Sequence, residues 1–329
     1  MSRLELYPLH FNPILKRLIW GGRRLESVLG KELPEGENYA ESWEIADHRN
    51  DVSHVAEGPL QGSSLRDLIA AEPRALLGDH RSDGTHFPLL IKFLDAHQVL
   101  SVQVHPDDTL AARLANDRGK TEAWVVLHAE PGSLIYAGLK PSVSRADFAQ
   151  AVEHNNVPSL LHSFTPKVGD CVFVPAGTVH ALGAGLVVAE IQQMSDATFR
   201  IHDWGRLGSD GRPRALHLAE AIESIDFERG PVSPVVPRRI DGTRNFERQR
   251  LVQCTYFDLD RIEFRQRVEV GSTDSFTILI GLDGSTQVRS RGAEYPLARG
   301  KTLLLPAALG PCELHSAKMG TLLIISVPR

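Results

Sequence analysis

Two short stretches of the sequence bring metal-ligand chemistry to one point. In Gln103-Val104-His105-Pro106, residues i and i+2 of an extended strand face the same way, so the Gln103 amide and the His105 imidazole share a side. In the stretch from Gly169 to His180, a strand runs into the turn Pro175-Ala176-Gly177, which delivers His180 just beyond it. Between the two, Gly119-Lys120-Thr121-Glu122-Ala123-Trp124 offers the Glu122 carboxylate at the start of a further strand. Two imidazoles, one carboxylate and one amide oxygen make a mixed N/O donor set. Zn²⁺ is well served by such ligands when one coordination position stays open for water or substrate. Mn²⁺, Fe²⁺ and Co²⁺ fit the same atoms, because ligand type alone discriminates weakly among them. Other histidines, among them His48, His80, His86 and His217, lack neighbouring ligands in the sequence and are read as scattered core and surface residues.

Such donors need a rigid frame. The chain's 20 prolines and 27 glycines fall between short β-branched runs, which suits a mainly β architecture. Phe87 to Leu94 and Val99 to Val104 read as buried strands, Cys171 to Val174 and Leu186 to Gln192 as further ones, and Glu41 to Ala46 as an alternating strand. Helices are expected at 64–78, behind Ser64 and broken by Pro73, at 145–154, where Ser144 and Asp147 form a capping-box signal, and at 216–225. Three prolines between 230 and 239 predict a linker, so the expected domains are 1–235, carrying the site and its helical segments, and 236–329. The second reads as short strands with a hairpin turn at Asp283-Gly284. There Gly300-x5-Pro306 repeats the spacing of Gly169-x5-Pro175, but Ala308 and Pro311 stand where the Gly and His would be, as in a degenerate copy without metal ligands.

The Gly169–His180 pattern, Gly-x5-Pro-x-Gly-x2-His, resembles the second cupin motif, although Ala184 replaces the Asn that usually follows. The first cupin motif ordinarily opens His-x-His. Here it opens Gln103-x-His105, and its Glu arrives after an insertion, as Glu122. That departure resembles the type I phosphomannose isomerases. So do Ser-Val-Gln-Val-His-Pro-Asp-Asp at 101–108, Gly-Lys-Thr-Glu-Ala-Trp at 119–124, Tyr-Ala-Glu-Ser-Trp-Glu-Ile at 39–45 and Ser-Asp-Ala-Thr-Phe-Arg at 195–200. The similarity runs over most of residues 1 to 230 and is greatest to the shorter bacterial members.

The resemblance implies a cupin-type jelly-roll barrel with helical insertions, followed by a degenerate cupin-like barrel. It implies one Zn²⁺ per chain on Gln103, His105, Glu122 and His180. The implied reaction interconverts mannose 6-phosphate and fructose 6-phosphate by proton transfer between C1 and C2 through an enediolate, which a metal stabilises as a Lewis acid. Arg200 is carried over as the residue nearest the reacting oxygens or the phosphate. Lys120, on the same face as Glu122 if that segment is extended, holds substrate or assists proton transfer, or is a surface lysine. Glu190, on the strand after His180, is a candidate acid/base or an interior partner of an arginine. Ser101 is a candidate phosphate donor or a plain strand serine, and Trp43 a sugar platform or a core aromatic.

The bulk properties are consistent with this. A net charge of −5 without a basic cluster excludes a nucleic-acid footprint. Cys171, Cys254 and Cys312, odd in number and scattered, argue against a disulfide framework. With no apolar signal region and no apolar run near ~20 residues, neither export nor membrane insertion is expected, and the cytoplasm is. The expected partner is a small sugar phosphate, with the chain a monomer or small homo-oligomer. The competing readings are an isomerase of another sugar phosphate and a non-catalytic metal-binding cupin that senses sugars. A cupin dioxygenase would need more histidines at the site.

Overall fold

The computed structural model describes residues 4–79, 86–208 and 210–328; His80 lies outside them. Three large antiparallel sheets carry the architecture, which is mainly β, as expected. The first sheet has the order Ile14–Lys16, Glu41–Ile45, Leu89–Ala96, Leu186–Gln193, Glu122–Ala129, Cys171–Val174. The second has the order Phe199–His202, Val102–Val104, His180–Leu182, Ile135–Leu139, Leu161–Phe164.

Leu94, Trp124, Val126, Val172 and Val188 of the first sheet share one buried cluster with Ile135, Ala137 and Leu182 of the second, so the two sheets face each other across a common core. The alternate residues Leu89, Ile91, Phe93, Val125, Val187, Ala189 and Ile191 join a second cluster with Phe257, Phe276, Ile278, Leu323 and Ile325 of the C-terminal part. The first sheet is therefore buried on both faces. This is why its strands read as continuous apolar runs rather than alternating ones. Each large aliphatic or Phe side chain so buried contributes roughly 1.5–3 kcal/mol.

The helices sit where local chemistry puts them. Ser64 caps Leu65–Ala71 by accepting from the Asp67 N–H. Pro73 does not merely break that helix; it starts a second, Pro73–Leu77, at the first-turn position where a missing N–H costs nothing. Ser144 and Asp147 form the full capping box of Arg145–Glu153. The expected 216–225 helix is the shorter Leu218–Ser224. An unexpected helix, Asp108–Leu114, is capped by the Asp107 side chain accepting from the Leu110 N–H.

One expectation gains detail and another is overturned. Residues 231–237 have no regular structure but do not hang free: between the prolines, the Val232 N–H donates to the Ala137 carbonyl (3.0 Å) and the Val235 N–H to the Cys171 carbonyl (2.7 Å). Asp283-Gly284 is not a hairpin turn. Thr277–Asp283 and Ser285–Ser290 both pair, one after the other, with the long strand Cys312–Ser326, so the chain runs straight on through a kink at Gly284 (φ 78°). The reversal comes later, at Arg291-Gly292, between Ser285–Ser290 and Ala293–Ala298. No helix among the described residues is long and apolar enough to cross a membrane.

Candidate metal centre

The four expected donors converge. Glu122 opens its strand with its side chain buried between two imidazoles: Oε2 lies 3.4 Å from His105 Nε2, and Oε1 lies 3.4 Å from His180 Nε2. Among the described residues, His105, Glu122 and His180 form the group of acidic, His or Cys side chains close enough to grip one cation. Each imidazole has its other nitrogen engaged. His105 Nδ1 donates to the Ala197 carbonyl (2.9 Å) and His180 Nδ1 to the Thr178 carbonyl (2.8 Å), which turns both Nε2 lone pairs toward Glu122. Burial, then Lys120, pushes His105 down to about 3, and burial lowers His180, so both rings are neutral ligands at ordinary pH. Burial alone would raise the Glu122 carboxyl. Lys120 and His105 outweigh it and hold the group below the usual carboxylate range.

His105 Nε2 and both Glu122 oxygens are buried without a hydrogen-bond partner. Buried polar atoms are ordinarily satisfied, and these three, with only the Lys120 ammonium beside Glu122 Oε2, are a group that could hold a cation. Gln103 departs in one detail. Its amide donates Nε2–H to His180 Nε2 (3.2 Å), while Oε1 lies 3.4 Å from Ser101 Oγ. Presenting Oε1 to the imidazoles needs only a half-turn of the terminal amide.

Beside the donors lies a cavity of about 290 Å³, whose walls include Gln103, Ser101, Lys120, Glu190 and Arg200. Lys120 Nζ sits 3.2 Å from Glu122 Oε2 and 3.9 Å from Glu190 Oε1. Glu190 takes the Trp124 indole N–H at 3.0 Å. Burial, and then the charge of Glu122, pushes its carboxyl up to about 7 against the pull of Lys120 and Lys92. Arg200 donates to the Ala215 carbonyl (2.9 Å) but keeps a buried Nε without a partner. Burial and the neighbouring Arg214 lower its pKa. Two guanidiniums that repel each other at a cavity wall are a seat for an anion.

Trp43 does not line this cavity. It is 3% exposed, its indole donates to Glu41 Oε2, and its face lies under the Lys92 ammonium, 4.6 Å from the ring centre. The aromatic in the cavity wall is Trp20.

Sequence reasoning missed several wall residues. Lys92 is 2% exposed and lies between Glu41 (3.5 Å) and Glu190 (3.6 Å). Burial works against its ammonium, but Glu41 and Glu190 outweigh that and raise its pKa. A lone lysine inside the apolar run 87–94 was the available signal, because a buried ammonium requires partners. Arg214 is fixed by Asp203, Nε to Oδ2 at 2.7 Å and Nη2 to Oδ1 at 2.5 Å, and Asp203 also holds Arg206. Arg200 and Arg214 line an outer hollow of about 1010 Å³ as well, so they stand at the mouth. Nor are all the remaining histidines unpartnered. His48 pairs with Asp117 (2.9 Å), and His217 Nδ1 accepts the Arg200 backbone N–H (3.1 Å).

Comparison with known proteins follows the same lines. The family description "Phosphomannose isomerase type I, catalytic domain" matches residues 9–123, and "Mannose-6-phosphate isomerase, cupin domain" matches residues 247–327. The chain is 34% identical over 305 residues to the probable mannose-6-phosphate isomerase GmuF of Bacillus subtilis, covering 92% of this chain and 95% of that one. It is 34% identical over 299 residues to the mannose-6-phosphate isomerase of Streptococcus mutans, covering 91% and 92%. The crystal structure of the mannose 6-phosphate isomerase from Bacillus subtilis superposes with a TM-score of 0.89 at 31% identity, covering 97% of this chain and 99% of that one.

Proposed function

This chain belongs to the type I mannose-6-phosphate isomerases, the aldose–ketose isomerases of mannose 6-phosphate and fructose 6-phosphate, and from that premise we propose that it works with one Zn²⁺ ion held by Gln103, His105, Glu122 and His180. The observation that supports the metal assignment is the convergence of His105 Nε2 and both Glu122 oxygens, buried without a hydrogen-bond partner, beside the cavity. Two neutral imidazoles, one carboxylate and a neutral amide leave a net positive charge on a divalent ion. When bound, the metal supplies Lewis-acid polarisation of the sugar's carbonyl end.

The chain's own groups supply the rest. Interconversion moves a proton between C1 and C2 through an enediolate. It needs a group able both to take and to return that proton near neutral pH. Glu190, with its carboxyl pushed up to about 7 in the cavity wall, is that group in this reading. The Lys120 ammonium, between Glu122 and Glu190, holds the sugar oxygens against the negative charge that develops on them. Arg200 and Arg214, at the mouth, take the phosphate, and Asp203 keeps Arg214 extended toward it. Ser101 lines the same wall and is a secondary donor. Residues 1–235 form the catalytic unit in this reading, and 236–329 a cupin-like unit without metal ligands.

The test is a coupled assay for fructose 6-phosphate formed from mannose 6-phosphate, run before chelation, after chelation, and after Zn²⁺ is restored. Activity should vanish with the chelator and return with zinc. An enzyme indifferent to chelation, with no metal in the purified protein, rules out the metal assignment.

A further inference from the structure

Among the described residues the C-terminal part contributes none to the cavity wall, yet one of its side chains hydrogen-bonds to Asp108, beside the segment that carries Lys120 and Glu122. Tyr256 lies in the turn between the strands Phe246–Gln253 and Asp258–Val270. That turn is fixed from below: Phe257 is fully buried in the cluster shared with the first sheet, and the Cys254 N–H closes onto the Phe257 carbonyl at 3.1 Å. The Tyr256 hydroxyl therefore has a defined place, and it donates to Asp108 Oδ2 at 2.8 Å.

Asp108 is a junction. Its other oxygen, Oδ1, accepts the Gly119 N–H at 2.9 Å and Gln193 Nε2 at 3.0 Å. The Gln193 oxygen in turn accepts the Thr121 N–H at 2.9 Å, and the Lys120 N–H donates to the Pro106 carbonyl at 3.0 Å. Three successive backbone N–H groups, at 119, 120 and 121, are thus each given a partner. Gly119 shows how closely the segment is pressed there. A Cβ at that position would stand 2.4 Å from the Asp108 nitrogen, so no other residue fits without moving the backbone. This segment delivers Lys120 and Glu122, whose charged ends lie 3.2 Å apart at the metal donors.

We infer that Tyr256 is a positioning residue for the isomerase reaction: its hydroxyl orients the Asp108 carboxylate, which with Gln193 sets the backbone that aims Lys120 and Glu122. Asp108 takes three donors on two oxygens, and its orientation decides whether Gly119 and Gln193 are both served. Removing the Tyr256 hydroxyl lets the exposed edge of the carboxylate swing toward water, and the loop loses its fixed reference. Burial and the Asp108 charge push the Tyr256 phenol up to about 12, so it remains a donor across the working pH range. The degenerate cupin unit thereby acts as a brace for chemistry carried out in the other part of the chain. This rests on the assignment of Lys120 and Glu122 to the catalytic site.

The test uses the full-length zinc-loaded enzyme. Tyr256→Phe keeps the ring and its packing and removes only the donor. Hydrogen bonds to charged groups and the misplacement of reacting groups predict a fall in kcat of about tenfold. KM for mannose 6-phosphate and the Tm should be close to wild type. Asp108→Asn should lower kcat at least as far, and Tyr256→Phe combined with Asp108→Asn should be no worse than Asp108→Asn alone, because both act through one carboxylate. Arg261→Ala is the control. It breaks another contact between the two parts, Arg261 Nη1 to the Gly169 carbonyl at 3.2 Å, and should lower the Tm while leaving kcat unchanged. A Tyr256→Phe enzyme with kcat within about twofold of wild type overturns the inference, as does a kcat loss equally produced by Arg261→Ala. Glu122→Gln separates the two levels: if it retains full activity, the site assignment itself fails, whereas an inactive Glu122→Gln beside a fully active Tyr256→Phe sinks the brace alone.

Discussion

Gln103 and His180 stand directly opposite each other on neighbouring antiparallel strands, 77 residues apart in sequence, with their side-chain nitrogens 3.2 Å apart. One backbone pairing thus fixes the first donor of one motif against the last donor of the other. The spacing of each motif matters less than this shared register, because a one-residue slip would turn one of the two side chains to the opposite face.

His105→Ala and His180→Ala should each remove zinc and activity together. The neighbouring donors are carried on separate strands and cannot close around a missing one. Metal content of the purified variants, measured alongside turnover, checks this. A variant that keeps full activity would remove that histidine from the ligand set.

Glu190 predicts a pH dependence. If its ionised form takes the C–H proton, kcat should rise with pH up to about 7, and the bound cation should move that limb downward by favouring the carboxylate. Glu190→Gln should lose most turnover and the limb with it. Stability of the metal-free protein should respond in the other direction. A carboxyl raised from 4.5 to about 7 stabilises the fold while protonated, and that contribution fades as pH rises through about 7. An unchanged kcat profile in Glu190→Gln would assign the limb to another group.

Lys92→Met should be costly. It leaves Glu41 and Glu190 facing each other inside the protein without their shared cation. Breaking a buried ion pair by removing one partner costs roughly 3–5 kcal/mol. It should also move the Glu190 limb to higher pH, since Lys92 is one of the charges holding that pKa down. Denaturant melts and the kcat profile read the two effects separately. A variant as stable as wild type would show that the two carboxylates find other compensation.

Arg200→Ala should keep its metal and lose most turnover, because binding energy from the remote phosphate is spent at the reacting carbons. Arg214→Ala, at the same mouth but tied to Asp203, should act mainly on KM for the sugar phosphate. If Arg200→Ala changes neither constant, the residue is structural. If Arg214→Ala lowers kcat alone, the phosphate lies elsewhere.

Much of this was legible beforehand because it is local. The Ser144–Asp147 capping box, the Ser64 cap and the strand that ends in Gln103-x-His105 depend on residues only a few positions apart. Lys92 and Glu190 belong to the opposite case. Each is a charge in a mostly apolar strand, and their meaning appears only when two strands almost 100 residues apart pair them directly. Trp43 had no sequence signal separating a sugar platform from a residue packed under a lysine. Asp283-Gly284 misled because a glycine with positive φ marks a bend in the backbone, not whether the chain turns back. The partner strand Cys312–Ser326 decided that.

The sheet buried on both faces has a consequence for handling and for the cell. A protease cut between 230 and 237 would not release two soluble halves. The larger fragment would lose the C-terminal cover of the cluster that holds Leu89, Ile91, Phe93, Val125, Val187 and Ile191, keeping only its own Leu25, Leu65, Ile69 and Leu76 there, and the smaller would bare Phe257, Phe276, Ile278, Leu323 and Ile325. Nicked molecules should stay together as a non-covalent pair under native conditions, and once separated should precipitate or be taken up by chaperones. Truncated versions intended as minimal enzymes should therefore prove insoluble, even though all four proposed metal donors lie in the first 180 residues.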